Sequence, residues 1–258
     1  MLENSTPWPI LEYDSDPRAI LDPQPPLPAA PVPKRAVLCF FQEVLEGLRA
    51  RGWLRVIGQL KSEIGPNPLY LLEEEGSEPV LVLHPGVGAP LAAGFLEEIL
   101  ALGVRKVMVC GGCGALTPEI TAGHVIVVTA AVRDEGTSYH YLPPAREVVA
   151  DPQAVAALVA ALEYHKVPYR LGKTWTTDGL YRETVTRRAR RVAEGCVVVE
   201  MEAAALMAVA RFRGVPLGQV LYGGDLVIPE GWDEREWYRR GSDRERLFWL
   251  AVEAVRRL

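Results

Sequence analysis

Cysteine is scarce: Cys39, Cys110, Cys113 and Cys196 are all that 258 residues contain. So few thiols in a chain this long make no disulfide framework. Cys110 and Cys113 stand in C-x-x-C spacing, but no comparable Cys/His pair occurs elsewhere to complete a zinc site. A thioredoxin-type pair opens a helix, whereas this one ends the apolar run Val107-Met108-Val109, so we expect buried, inert thiols. Basic charge is lacking too. With 28 Lys and Arg against 33 Asp and Glu, the net charge is −5, no footprint for nucleic acid or an anionic membrane. No apolar run approaches the ~18 residues of a membrane span, and no charged-then-apolar leader opens the chain. These absences lead us to expect a cytoplasmic protein with no metal, no cofactor, and neither nucleic acid nor membrane as partner.

What is present is unevenly spread. Residues 1–34 hold nine of the 21 prolines, and Pro23-Gln-Pro-Pro-Leu-Pro28 supports neither ladder nor helix. We read an extended arm whose apolar residues, Trp8, Ile10, Leu11, Tyr13 and Ile20, lie against the body or a neighbouring subunit. From residue 35 to 258 the pattern alternates. Arg35 to Phe41 and Val80 to Leu83 read as buried strands, and 42–48 and 91–102 as helices, the second closed by Gly103. Strands at 105–110, 123–128, 169–172 and 218–221 follow, with helices at 152–163 and after Ser242-Asp-Arg-Glu245, a capping box. Trp53–Ile57 and Leu69–Leu72 read as short meander strands. Such alternation predicts an α/β fold: three α/β/α layers around a central mixed sheet, in a single domain.

One stretch organises the rest. Val197-Val198-Val199 has the composition of a buried strand. It meets two acids, Glu200 and Glu202, and then an Ala/Leu/Met helix that closes at Arg213-Gly214. Carboxylates at the mouth of a buried strand are costly to desolvate unless paired. Acids also favour a helix's first turn through the macrodipole, and residue physics alone leaves both readings open. If 199–202 stays extended, Glu200 and Glu202 point to one side and Met201 to the other.

Val199-Glu200-Met201-Glu202-Ala203 resembles the VEMEA signature of the nucleoside phosphorylase family, which holds uridine phosphorylases, hexameric purine nucleoside phosphorylases and methylthioadenosine nucleosidases. Pro85-Gly86-Val87-Gly88-Ala89-Pro90, Cys110-Gly111-Gly112-Cys113-Gly114-Ala115 and Gly224-Asp225 fall in family order around it. The likeness runs from about Val82 to the C-terminus, with uridine-phosphorylase-like framing at Val132-Arg133 and Gly136 to His140. It implies an enzyme acting on a small-molecule nucleoside, and a homo-oligomer, a dimer or trimer of dimers, in which a neighbour closes each site.

The family's roles carry over residue by residue. Breaking an N-glycosidic bond builds positive charge on the ribose and negative charge on the base. The resemblance gives the ribose to Met201 and Glu202, with Glu200 as a further substrate contact. It makes Asp225 the proton donor to the base, as in the purine-cleaving members. Glycines at 111–114 form a turn that brings backbone N–H groups of Gly112, Cys113 and Gly114 to a ligand. Leu180 and Tyr181 match the wall against the base, although the Gln and Arg that read uracil in uridine phosphorylases are not found after Tyr181.

Phosphate is the main departure. Where the phosphorylases keep Arg and Ser or Thr, this chain has Val109 and Gly112, and the Gly-Asp-Pro-x-Arg motif is missing. A dianion needs a cation. Gly88 and Gly112 would contribute backbone to it, and Arg133, ahead of Arg146 and Arg182, could replace the missing cation, although residue type alone favours an ordinary surface arginine for each. Glu43, in Cys39-Phe-Phe-Gln-Glu43, matches the glutamate that activates water in the nucleosidases. By family default, and not through these residues, the resemblance implies phosphorolysis to free base and ribose 1-phosphate. Hydrolysis through Glu43 stands level on the site residues, and a silent nucleoside-binding regulator is the remaining alternative.

Overall fold

In the computed structural model, which describes residues 7–258, the β-branched run Arg35–Cys39 forms β1 between two parallel neighbours, β4 (Val80–Leu83) and β5 (Lys106–Ala115). Both of its edges are paired and both faces covered, which is why it reads as a continuous apolar run. β4 continues outward to β3 (Gly65–Leu72) and β2 (Leu54–Ser62), an antiparallel hairpin longer than the short meander strands expected.

On the other side the sheet closes on itself. β10 (Leu217–Ile228) pairs with β5 and with β6 (Val125–Asp134), and β6 pairs with β8 (Tyr169–Thr177). β8 pairs with β9 (Cys196–Glu200), and β9 returns to β5. Five strands thus make a closed barrel from which β1, β4, β3 and β2 extend as an open wing. Short β7 (Glu147–Val149) and β11 (Gly231–Asp233) pair with β6 and β10.

Helices cover both faces. α2 (Ala89–Ala101) and α5 (Ala203–Phe212) bury Leu96, Ile99, Leu206 and Val209 on one side. α1 (Gln42–Ala50), α3 (Pro152–Tyr164) and α6 (Gly241–Arg257) bury Leu45, Leu158, Phe248 and Val255 on the other. The expected mixed-sheet α/β architecture holds. α4 (Val185–Ala193) escaped the sequence reading because its seven central positions are mostly arginine, with no apolar stripe to betray the helical period. α6 begins without the expected capping box: its N-cap is Arg240, and Asp243 pairs with that arginine instead.

The arm touches the body, but not through all the apolar residues expected to anchor it, since Trp8, Ile10 and Ile20 are exposed. Ala29 N–H donates to Ile57 O at 2.7 Å, Arg213 Nη1 donates to Pro17 O at 3.1 Å, and Ala30 and Val32 pack on the core. Among the described residues no helix is long and apolar enough to cross a membrane.

Candidate active site

The polar residues that the motifs single out gather where β1, β4, β8 and β9 end and where β5 and β10 run on past their neighbours, the usual place for a crevice in an open α/β sheet. β9 stops at Glu200. The chain leaves extended geometry at once, with Glu202 at φ −136°, ψ −28° as the N-cap of α5, so the simple alternation of 199–202 does not persist.

The two acids have different fates. Glu200 is saturated by protein donors: Thr176 Oγ1 (2.6 Å) and Thr174 Oγ1 (3.2 Å) donate to Oε1, and the N–H groups of Glu202 (2.7 Å) and Ala203 (2.6 Å) donate to Oε2. It caps α5 and ties it to β8, which corrects the expectation of a substrate contact. Burial raises its carboxyl, and the four donors oppose that rise. Glu202 is also buried, and Gly88 N–H donates to its Oε1 at 2.6 Å. Burial, then the charge of Glu200, pushes it up to about 8, against the pull of Gly88. Gly88 reaches this carboxylate because its φ of 91° suits a residue without Cβ. Its N–H therefore serves Glu202 and not the phosphate foreseen for it. Met201, half-buried, lies between the two acids.

The glycines at 111–114 are not a turn. They prolong β5, pairing with β10 from Leu221↔Gly111 to Gly223↔Cys113 and with β9 at Gly114↔Val199. Gly112 is exposed and faces the Tyr222 ring, where a Cβ would come within 3.2 Å. Cys113 is buried and donates its thiol to Tyr222 O at 3.3 Å. Burial, Glu200 and Asp225 all raise that thiol, so both acids lie close to it. Gly114 is buried too, against Val199, Val227 and Asp225.

Asp225 lies where the register of β10 against β5 shifts, between Gly223 and Leu226. Its Oδ2 accepts from Trp232 Nε1 at 2.6 Å. Glu183, which the sequence reading missed, is held up at about 7 by burial and by the charge of Asp225. Nothing local marked it, because the loop before α4 has no motif. Leu180 and Tyr181 fall in a single 3-10 turn and are 53% and 94% exposed, so within one chain they do not form a wall.

Arg133 is not a free cation. Its Nε donates to Ser138 Oγ (2.8 Å), Nη1 to Pro143 O (2.7 Å) and Nη2 to Leu142 O (3.1 Å), and it stacks on Tyr139. Every side of the guanidinium is spent on the loop after β6, which overturns its expected phosphate role. Glu43, in the first turn of α1, accepts from Arg244 Nη1 and is 49% exposed. Arg244 is buried, donates through Nε to Tyr222 Oη at 2.9 Å, and was not anticipated from sequence. The ring of His84, in the loop after β4, meets Phe40 edge-on. Its Nδ1 accepts from Gly86 N–H, and burial lowers its affinity for a proton. Among the described residues no cluster of three or more His, Cys, Asp or Glu is placed to hold a metal ion.

Comparison with known proteins agrees with this geometry. Residues 34–245 match the model of the phosphorylase superfamily. A guanosine phosphorylase of Halorubrum lacusprofundi is 33% identical over 147 residues, 57% of this chain and 61% of the relative. A uridine phosphorylase of Treponema pallidum is 32% identical over 193 residues, 70% of this chain and 73% of the relative. In fold, the chain superposes on a purine nucleoside phosphorylase of Toxoplasma gondii in complex with immucillin-H with a TM-score of 0.75, at 20% identity, covering 88% of this chain and 91% of that one. Motif order, barrel and family match converge: this chain belongs to the phosphorylase superfamily.

Proposed function

We propose that the protein cleaves the N-glycosidic bond of a nucleoside, with phosphate as acceptor, releasing free base and ribose 1-phosphate. The observation that carries the cleavage reading is Glu202, a buried carboxyl at the mouth of β9 held by a backbone N–H of the loop after β4. A carboxylate there accepts from the ribose hydroxyls, each charge-assisted bond contributing ~1.5–3 kcal/mol, and opposes the positive charge that grows at C1′. Asp225 gives the departing base its proton. Phosphate as acceptor follows the names of the relatives. We read the working form as a cytoplasmic homo-oligomer, in which a neighbour would cover the exposed Leu180 and Tyr181.

A second reading, hydrolysis, is favoured by the Glu43–Arg244 pair. It offers a half-exposed carboxylate fixed in place, while Arg133 is tied to its own loop. In that case water attacks C1′, Glu43 takes its proton, and the sugar leaves as free ribose. A panel of ribosides assayed for base release with and without phosphate tests both. Ribose 1-phosphate formed only with phosphate supports the first, and ribose formed without it the second. No base release from any riboside would overturn the cleavage reading.

A further inference from the structure

We propose that Trp232 is the stacking wall for the leaving base, that its N–H dictates which oxygen of Asp225 carries the proton, and that the base is therefore a purine. The inference rests on the nucleoside-cleaving reading above and adds the residue that selects the base.

Trp232 stands on β11 opposite Val227 of β10, in a hairpin that brings it back over Asp225. Its Nε1 donates to Asp225 Oδ2 at 2.6 Å, yet the side chain is 62% exposed. An indole has one donor and no acceptor. With that donor spent on Asp225, what Trp232 offers a ligand is its π face, which prefers an offset-stacked aromatic partner. Because an indole N–H donates in the plane of its ring, Asp225 sits at the ring's edge, and a base taking its proton from that acid would reach over the exposed face.

The hydrogen bond also makes the two oxygens of Asp225 unequal. Oδ2 is engaged by a donor, so Oδ1 is the oxygen left to carry a proton. Oδ1 faces Gly114, where a Cβ would approach within 3.4 Å, so the glycine keeps that oxygen uncovered. The step balances as follows. The acceptor oxygen bonds to C1′ while the C1′–N bond breaks. Its electron pair leaves with the base, the base takes the proton from Oδ1, and Asp225 is left as a carboxylate to be reprotonated from solvent. A bicyclic purine overlaps a bicyclic indole more fully than a pyrimidine does, so the stacking favours purine ribosides.

The test uses the full chain and three substitutions, Trp232→Phe, Trp232→Gln and Trp232→Ala, with guanosine, uridine and N7-methylguanosine, whose base departs without needing a proton. Because Trp232 is largely exposed, each variant should melt within a few degrees of the parent. Trp232→Ala should raise KM for guanosine about tenfold or more, the scale of one base–aromatic stack, and change uridine less. Trp232→Phe should keep KM but lower kcat on guanosine while sparing N7-methylguanosine, since it keeps a ring and loses the N–H. Trp232→Gln, which keeps an N–H without a ring, should do the reverse. An unchanged KM for guanosine in Trp232→Ala, or equal kcat losses on guanosine and N7-methylguanosine in Trp232→Phe, overturns the inference while leaving nucleoside cleavage intact. A parent enzyme that releases base from none of the three overturns both.

Discussion

Arg244, in the first turn of α6, donates to Glu43 in the first turn of α1, 201 positions earlier in the chain. The guanidinium is buried under the rings of Trp237, Phe41 and Tyr222, at 5.1, 5.2 and 5.6 Å, while its partner is half-exposed. Leaving a buried cation unpaired costs about 3–5 kcal/mol. Glu43 is thereby fixed in place as the acceptor of that contact, just after the end of β1 and beside the strand that carries Gly112.

That pair separates the two acceptors. With phosphate as acceptor, activity vanishes when phosphate is removed, and Glu43→Gln, which retains an oxygen for Arg244, is tolerated. With water, Glu43→Gln abolishes base release in phosphate-free buffer. Arg133→Ala should in either case lower the melting temperature, because its guanidinium braces the 138–143 loop, and with phosphate as acceptor it should leave the KM for phosphate unchanged. A large rise in that KM would restore the phosphate role to Arg133.

Glu202→Gln should keep the fold and lower turnover on ribosides by at least ~100-fold, the scale of losing one preorganised electrostatic partner. A 2′,3′-dideoxy analogue should suffer much less, having no hydroxyls to hold. Steady-state rates on both substrates decide it, and equal losses would show that Glu202 does not grip the sugar hydroxyls.

Titration offers an independent check on the same residue. Glu202 holds its proton up to about 8 in the folded chain, through burial first and the charge of Glu200 second, while in the unfolded chain it ionises in the ordinary range near 4.3. The folded state therefore binds the extra proton between those limits. The stability it contributes is full below the lower one and is lost as pH rises through about 8. Melting temperature should fall by on the order of 5 °C or more between mildly acidic and mildly alkaline buffer, and Glu202→Gln should flatten the profile. Since the ionised form is the better acceptor of ribose hydroxyls, kcat/KM should rise toward a midpoint near 8. A riboside profile without that rise would contradict the assignment.

Glu200 predicts a stability effect instead. Glu200→Ala strands the Thr176 hydroxyl and two backbone N–H groups in the interior, at ~1–3 kcal/mol for each donor left without a partner, while Thr174 keeps Val198 O as an acceptor. Chemical denaturation should show a loss of several kcal/mol, far beyond that of Glu202→Gln. Similar stability in the two variants would mean that Glu200 is not the cap of α5.

The order of motifs along the chain, the alternation of strand and helix, and the buried character of the four thiols were legible in the sequence, because apolar period and glycine placement are local signals. The division of labour between Glu200 and Glu202 was not. The two differ by the threonines of β8, 24 and 26 residues upstream, which only the barrel brings beside the first of them. The glycines at 111–114 read as a turn by composition, yet they are strand because β10 and β9 arrive on either edge and claim their backbone. Arg133 passed for a free cation until the carbonyls at 142 and 143 folded onto it. Arg244 on Glu43 and Trp232 on Asp225 belong to the same class: each residue's chemistry was written in the chain, but its partner was chosen by strand pairing and helix packing. A hydrogen bond is a short-range contact, and the fold alone decides which distant groups come within its reach.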